Sequence, residues 1–286
     1  APQRRSLRVR TLSAMAKTRP SRLRPLTLRL LCALVRAHFL VGGMLMRRRR
    51  VIYANTYQHR RRLWFLLISA GVVAALVIGW WLLRNPRPDP TAYPVLGVRL
   101  DQTDGVQDFD RLRSSRVSFV YLKATEGSSY FDDNFNTNFT QAAGSRVSIG
   151  VYHVFSFETT PQAQATQFIR KVGSNIGDLP IGIYLSYYRE QKPSSSWLTQ
   201  HLTEFITFIQ QRYHRQVLLM GSPDILKVVK TVVPQAPRWT ITDKRPANNG
   251  GFWQYTDGAR LPDGPQASYR AAVFMGKRGT FLKLAQ

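Results

Sequence analysis

Two hydrophobic patterns divide the chain. Residues 63–83 (LWFLLISAGVVAALVIGWWLL) form one unbroken block of 21 uncharged, mainly apolar positions. Beyond residue 95, short apolar runs of strand length alternate with segments whose apolar positions recur at helical spacing. The clearest such unit spans 117–154. Val117, Phe119 and Tyr121 alternate with Ser118, Val120 and Leu122, so the run is apolar on almost every position, as a strand covered on both faces must be. Lys123, Thr125 and Glu126 mark its end, and Gly127 lets the chain turn. Asp132 and Asp133 open a helix with Phe135, Phe139, Ala142 and Ala143 on one side, and Gly144 ends it. A second buried strand, 149–154, finishes in Tyr152 and His153. Two parallel strands joined by a helix, with polar groups at the strand ends, place any chemistry at the C-terminal edge.

The same alternation continues on either side. A first strand is predicted over 95–101, followed by a turn at Gly105 and a short helix near Phe109 and Leu112. Thr160-Pro161 starts a helix with proline at its first position, carrying Ala165, Phe168, Ile169 and Val172. Leu179-Pro180 leads into a strand over 181–188. Residues 194–196, all serine, cap a long helix with Leu198, Leu202, Phe205, Ile206 and Ile209 on one stripe. A strand over 217–220 precedes a helix capped by Ser222-Pro223-Asp224. After that the pattern predicts no helix, only short strands over 238–242, 252–256 and 269–275. Five strand–helix pairs followed by three strands predict an α/β modified TIM-like barrel over 95–286, preceded by one transmembrane helix.

The apolar block is long enough to cross a hydrocarbon layer of ~30 Å at about 1.5 Å per residue. Trp64, Trp80 and Trp81 lie at its ends, where indole rings favour the interface. Seven arginines (47–50 and 60–62) precede it, against Arg84 and Arg87 after it. The positive-inside rule then predicts a cytoplasmic N-terminus and an external C-terminal domain. The length of the run and the Trp-Trp-Leu-Leu-Arg that follows it favour an uncleaved signal anchor over a cleavable signal peptide. Residues 84–94, with Pro86, Pro88, Pro90 and Pro94, are expected to form an extended linker.

Charge changes the picture less than its total suggests. The net charge is +25, but 19 of the 41 basic residues precede Asp89, which is the first acid in the chain. The remainder carries 22 basic and 16 acidic residues, a net of +6 that is ordinary for a globular domain. A nucleic-acid partner is therefore not expected. Residues 1–45 are Arg-rich, acid-free and poorly periodic. They are expected to be translated upstream sequence with a start at Met46, or else a basic leader, and 46–62 a cytoplasmic basic segment. Cys32 is the single cysteine, so a start at Met46 leaves a cysteine-free product, which suits export without disulfides.

The run FVYLKATEG, then YFDDNF with Asn138, then Gly150-Val151-Tyr152-His153, resembles the core signature of glycoside hydrolase family 25, the N-acetylmuramidase type of lysozyme. The similarity continues through Gln162-Ala163, Phe168, Leu179-Pro180 and Trp253-Gln254-Tyr255. The resemblance implies a barrel at the bacterial cell wall that hydrolyses peptidoglycan with carboxyl groups at the strand ends. It also implies where those carboxyls should be. The family pattern G-x-D-x-S is here Gly97-Val98-Arg99-Leu100-Asp101. The family D-x-E after L-P is here Tyr184-Leu185-Ser186. The family D-x-N before a final F-x-G is here Arg270-Ala271-Ala272. Arg99, Tyr184, Ser186 and Arg270 thus occupy the expected acid positions.

From these substitutions a catalytically inactive domain is expected, binding peptidoglycan or another anionic wall polymer, or a wall-enzyme protein partner. The alternative is an active muramidase with relocated carboxylates, for which Asp101 and Glu126 are the candidates; Asp104 and Asp243 are further acids expected near the mouth. Otherwise Asp101 is expected to pair with Arg99, and Glu126 to order its loop. Tyr152, Tyr184, Tyr188, Trp253 and Tyr255 are the candidate glycan-binding rings, and His153 is expected to be a satisfied core residue. Nothing in the pattern calls for a metal or a cofactor.

Overall fold

The computed structural model describes residues 55–83, 87–188, 192–247 and 250–285. The expected leader, Cys32, the Met46 start, the arginines at 47–50 and residues 84–86 of the linker lie outside the described residues. Helix α1, Asn55–Leu83, contains the apolar block. Within it Arg60–Trp80 has a mean hydropathy of 2.3 and none of it is buried. Leu63, Trp64, Phe65 and Leu76 are each more than half exposed, and the helix is long and apolar enough to cross a membrane by length and composition.

In the linker, residues 90–92 form a turn rather than the extended run expected. Asp89 causes it: its carboxylate accepts from the Thr91 amide (2.9 Å) and hydroxyl (2.7 Å), and the Tyr93 amide closes onto the Asp89 carbonyl.

The remaining elements follow in order. They are β1 (Leu96–Leu100), α2 (Phe109–Ser114), β2 (Val117–Glu126), β3 (Tyr130–Phe131), α3 (Phe135–Gly144), β4 (Ser148–Val154), α4 (Pro161–Val172), β5 (Ile181–Leu185), α5 (Ser195–Tyr213), β6 (Val217–Gly221), α6 (Pro223–Val228), β7 (Arg238–Ile241), β8 (Phe252–Ala259), β9 (Tyr269–Phe274) and α7 (Arg278–Leu284). The strand order β1-β9-β8-β7-β6-β5-β4-β2 is closed by the β1–β2 pairing into an eight-stranded barrel. Every barrel pairing is parallel except the two made by β9, and β3 hangs antiparallel on the end of β2. Five strand–helix units followed by three strands is the architecture the periodicity predicts.

Three elements depart from expectation. β5 stops at Leu185, where its partner β6 also ends (Leu185↔Gly221), so Tyr187 and Tyr188 lie beyond the sheet. The two-residue β3 was too short to show a period. The last helix, α7, was not expected because a single buried side chain, Phe281, supplies its apolar signal. Phe281 enters the barrel floor against Phe119, Phe274 and Phe252, at ring distances of 5.4, 5.7 and 6.4 Å.

Alternation along each strand sorts the core into two layers. Outward residues such as Val98, Val120, Val151, Ile183 and Leu219 pack with the helices. Inward ones, Phe119, Tyr121, Tyr152, Met220, Trp239, Phe252 and Phe274, fill the barrel. Glycines make room for the large inward rings: a Cβ on Gly150 would lie 2.4 Å from the Tyr121 ring, and one on Gly97 2.3 Å from that of Phe119. Tyr121 needs that room to extend its hydroxyl 2.9 Å to the Pro180 carbonyl.

Candidate functional site

The inward parity that builds the barrel core also delivers the polar residues at its top. On β1, Arg99 follows inward Gly97; on β2, Lys123 follows Phe119 and Tyr121; on β5, Tyr184 is followed by Ser186. On antiparallel β9, Arg270 lies directly opposite Arg99 in register. Together with Asp101, Glu126, Tyr152, Val154 and Tyr188 they line one cleft of about 300 Å³ at the C-terminal ends of the parallel strands. An adjoining hollow of about 510 Å³ shares Arg99 and Arg270 and adds Asp104, Asp257 and Gln266.

Two like charges directly opposite on neighbouring strands repel, and the two arginines meet that problem differently. Arg270 is neutralised: its Nη1 donates to Asp101 (2.6 Å) and its Nη2 to Asp104. These two acids belong to the 3-10 turn after β1, where they form a capping box, Asp101 accepting from the Thr103 amide and Asp104 from the Asp101 amide. The guanidinium fork therefore ties the β1 loop to β9. The expected Asp101–Arg99 pair does not form, because the turn carries the Asp101 carboxylate to β9 instead. Burial pushes Asp101 upward, but hydrogen bonds from Arg270 and Thr103 and the Arg270 charge outweigh it, so its carboxyl lies below the usual range. At Asp104 burial prevails over the same cation and the Asp101 amide, and its carboxyl is raised.

Arg99 is 93 % buried (7 % exposed). Its Nε donates to Gln254 Oε1 at 3.2 Å, and its guanidinium lies 4.6 Å from the Tyr184 ring centre and 5.6 Å from that of Tyr152. Among the described residues no carboxylate lies within ion-pair distance of it. Tyr152 is wholly buried, and its hydroxyl lies beside the Arg99 guanidinium with no acceptor for its proton among the described residues. Burial holds that phenol well above the usual tyrosine range, a shift the Arg99 charge only partly offsets.

Glu126 does more than order its loop. It accepts from Lys123 Nζ at 2.5 Å, and the same ammonium sits over the Tyr130 ring. Tyr188 is half exposed. Its hydroxyl is fixed by the Phe157 amide (2.9 Å) and its ring stacks on Phe157 with centroids 5.3 Å apart and planes 11° apart, which leaves the other face to the cleft.

The structure does not bring every expected residue to the mouth. Trp253 and Tyr255 point to the outer layer, because the inward residue of that stretch is Gln254. Gln254 is buried and accepts from both Arg99 and Trp239 Nε1 (3.0 Å). Trp253 packs edge-on against Tyr93 and Tyr255 and donates to the Thr242 carbonyl at 2.8 Å. Burial pushes the Tyr255 phenol up to about 12. Asp243 is an exposed residue that does not line the cleft. His153 is the core residue expected. Nε2 donates to Gln164 Oε1 (3.0 Å), Nδ1 accepts from the Thr125 hydroxyl (2.7 Å), the ring stacks on Phe205, and burial lowers it to about 4.

Sequence reasoning gave no role to Lys123, Gln254 or Asp257, whose carboxylate accepts from Gln254 Nε2 at 2.5 Å. The first was legible from parity with Tyr121, and the second from parity with Phe252. Asp257 was not, since irregular pairing of β8 after Gln254 breaks the alternation. Among the described residues no group of His, Cys, Asp and Glu has the arrangement of a metal site.

Similarity to known proteins follows the same outline. The profile of Glycosyl hydrolases family 25 matches residues 100–264. An N,O-diacetylmuramidase of Arthroderma benhamiae is 28 % identical over 193 residues, 60 % of this chain and 81 % of that protein. The uncharacterized protein YegX of Escherichia coli O157:H7 is 25 % identical over 65 % of this chain and 72 % of its own length. The structure of a family 25 glycosyl hydrolase from Bacillus anthracis superposes with a TM-score of 0.65 at 27 % identity, covering 71 % of this chain and 97 % of that one. With the profile spanning more than half of the sequence and the strands closing into an eight-stranded barrel, the chain belongs to Glycosyl hydrolases family 25.

Proposed function

We propose that this chain is a membrane-anchored member of the family that binds peptidoglycan at the bacterial cell wall without cutting it. Glycan-strand hydrolysis by two carboxyl groups needs one acid to protonate the leaving oxygen and a second carboxylate against the sugar, with the sugar between them. The observation that carries the proposal is the engagement of the acids at the mouth. The positions where the family pattern has acids hold Arg99, Tyr184, Ser186 and Arg270. Asp101 and Asp104 both grip Arg270, so a guanidinium stands between them where a saccharide would have to lie. Glu126 is tied to Lys123.

Loss of general acid catalysis alone slows such a reaction about 10²–10⁴-fold. A cation such as Arg99 at about 5 Å from a sugar that is becoming positive is unfavourable by roughly 3 kcal/mol at an effective dielectric near 20. What remains suits binding. Tyr184 and the free face of Tyr188 are platforms for sugar rings, Tyr152 and Ser186 offer hydroxyls, and the cleft volume suits one saccharide unit.

Muramidase and lysozyme relatives support peptidoglycan as the polymer. The apolar block, with arginines crowded on its N-terminal side, supports an anchor with the barrel outside the cell. The second reading, an active muramidase, rests on Asp101 and Glu126 lining the same cleft. Incubating the full chain in detergent with purified sacculi separates the two. Co-sedimentation without new reducing ends supports binding alone. New reducing ends that vanish in Glu126→Gln or Asp101→Asn support hydrolysis. Neither outcome points to a protein partner instead.

A further inference from the structure

Three cations stand at the barrel mouth, and they are not equivalent. Arg270 is held by Asp101 and Asp104, and Lys123 by Glu126. Arg99 is the most deeply buried of them, and among the described residues it faces no carboxylate. Its Nε is occupied by Gln254, and its flat face by Tyr184, which orients the guanidinium and leaves its two terminal nitrogens as donors. Beside it is the Tyr152 hydroxyl, buried against the Arg99 guanidinium and with no acceptor for its proton among the described residues. Both groups line the 300 Å³ cleft. A buried cation without a counter-ion, next to an unused O–H donor, is an unfavourable arrangement in the free protein, and an incoming anion relieves it.

We infer that Arg99 and Tyr152 form an anion-recognition site, and that the saccharide taken by this cleft is an acidic one, its carboxylate or phosphate seated on the Arg99 guanidinium with the Tyr152 hydroxyl as second donor. The inference rests on the glycan-binding proposal above and adds the class of sugar. A planar fork suits either oxyanion in two-point contact. Tyr184 and Tyr188 flank the position that the attached ring would occupy.

The test uses the full chain in detergent and three probes that share one ring: N-acetylglucosamine, N-acetylmuramic acid (the same ring with a lactyl carboxylate) and N-acetylglucosamine 6-phosphate. Affinities are read by calorimetry or by chemical-shift titration. One charge-assisted contact in a desolvated cleft corresponds to a preference of about 10–100-fold for an acidic probe over the neutral one. The arm showing that preference identifies the oxyanion. Arg99→Gln is expected to bring the ratio close to one, and Tyr152→Phe, which keeps the ring, to lower it several-fold. Near-ultraviolet circular dichroism reports whether each variant keeps the fold. Should Arg99→Gln unfold, Tyr152→Phe and the wild-type ratio carry the test.

Equal affinity of the wild type for all three probes overturns the inference, as does a ratio unchanged in a folded Arg99→Gln. Sacculus co-sedimentation is measured in parallel. Pelleting with equal probe affinities refutes acid selection and leaves glycan binding standing. Acid selection without pelleting refutes peptidoglycan as the polymer and leaves the anion site standing.

Discussion

Replacing Arg99 with methionine gives the sharpest expectation, because it separates what the residue does for the fold from what it does for a ligand. Methionine matches the arginine side chain as far as Nε, so it keeps the apolar contacts of the stem and omits the guanidinium. The variant loses one charged hydrogen bond, worth about 1.5–3 kcal/mol, and a cation–π contact of roughly 1–2 kcal/mol with Tyr184, which lies 4.6 Å away. It also removes the charge of a residue that is 7 % exposed as a whole and lacks a carboxylate among the described residues, and the penalty of burying such a charge is several kcal/mol. Gln254 Oε1 is not stranded, since Trp239 Nε1 still donates to it at 3.0 Å. The repulsion across the β1–β9 pair also disappears. The balance favours the variant by about 1–2 kcal/mol, equivalent to a rise in Tm of roughly 2–8 °C for a domain of this size. Thermal unfolding followed in the near ultraviolet reads the barrel transition, and the affinity for the acidic probe should fall in the same protein. A Tm several degrees below wild type would show that Arg99 is a structural residue whose charge is well satisfied, and would refute the reasoning.

Other residues yield independent expectations. Gly150→Ala puts a methyl 2.4 Å from the Tyr121 ring and displaces a hydroxyl bonded to Pro180, so denaturant unfolding should show a loss of about 1–3 kcal/mol. His153, lowered from 6.5 to about 4, stays neutral in the barrel while the unfolded chain takes up its proton. Its contribution is intact above about 6.5 and is lost as pH falls toward 4, with a limit of about 3 kcal/mol; the corresponding slope of stability with pH should flatten in His153→Asn. Arg270→Met strands Asp101 and Asp104, whose side chains are only 16 % and 10 % exposed, and should destabilise the barrel by about 2–4 kcal/mol. Because Asp101 is held below 3.8, its contribution is present above that value and lost at lower pH; in Arg270→Met this acid dependence should disappear from a pH series of melts.

Most of the barrel was legible because its strands are short, apolar and separated by capped helices, so that Thr160-Pro161 and Ser194 announce their elements before any packing is known. The strand β3 and the helix α7 were not, since two residues have no period and one buried phenylalanine makes no stripe. The mouth was legible to the extent that parity held. Arg99, Tyr184, Ser186 and Tyr152 arrive where alternation sends them. Trp253 and Tyr255 illustrate the failure: a stretch rich in aromatics drew attention to the rings, whereas the pleat turns Gln254 inward. Pairing across the mouth was beyond the sequence, because the link between Asp101 and Arg270 joins residues 169 apart and depends on how a 3-10 turn closes.

The central claim is that this barrel holds glycan and leaves it whole. It is tested most directly by mass-spectrometric counting of new reducing ends released from purified sacculi by the wild-type full chain, from acidic to neutral pH. The account predicts no time-dependent release above the buffer control while the protein remains bound to the sacculi. Sustained release that is abolished by Glu126→Gln or Asp101→Asn would contradict it.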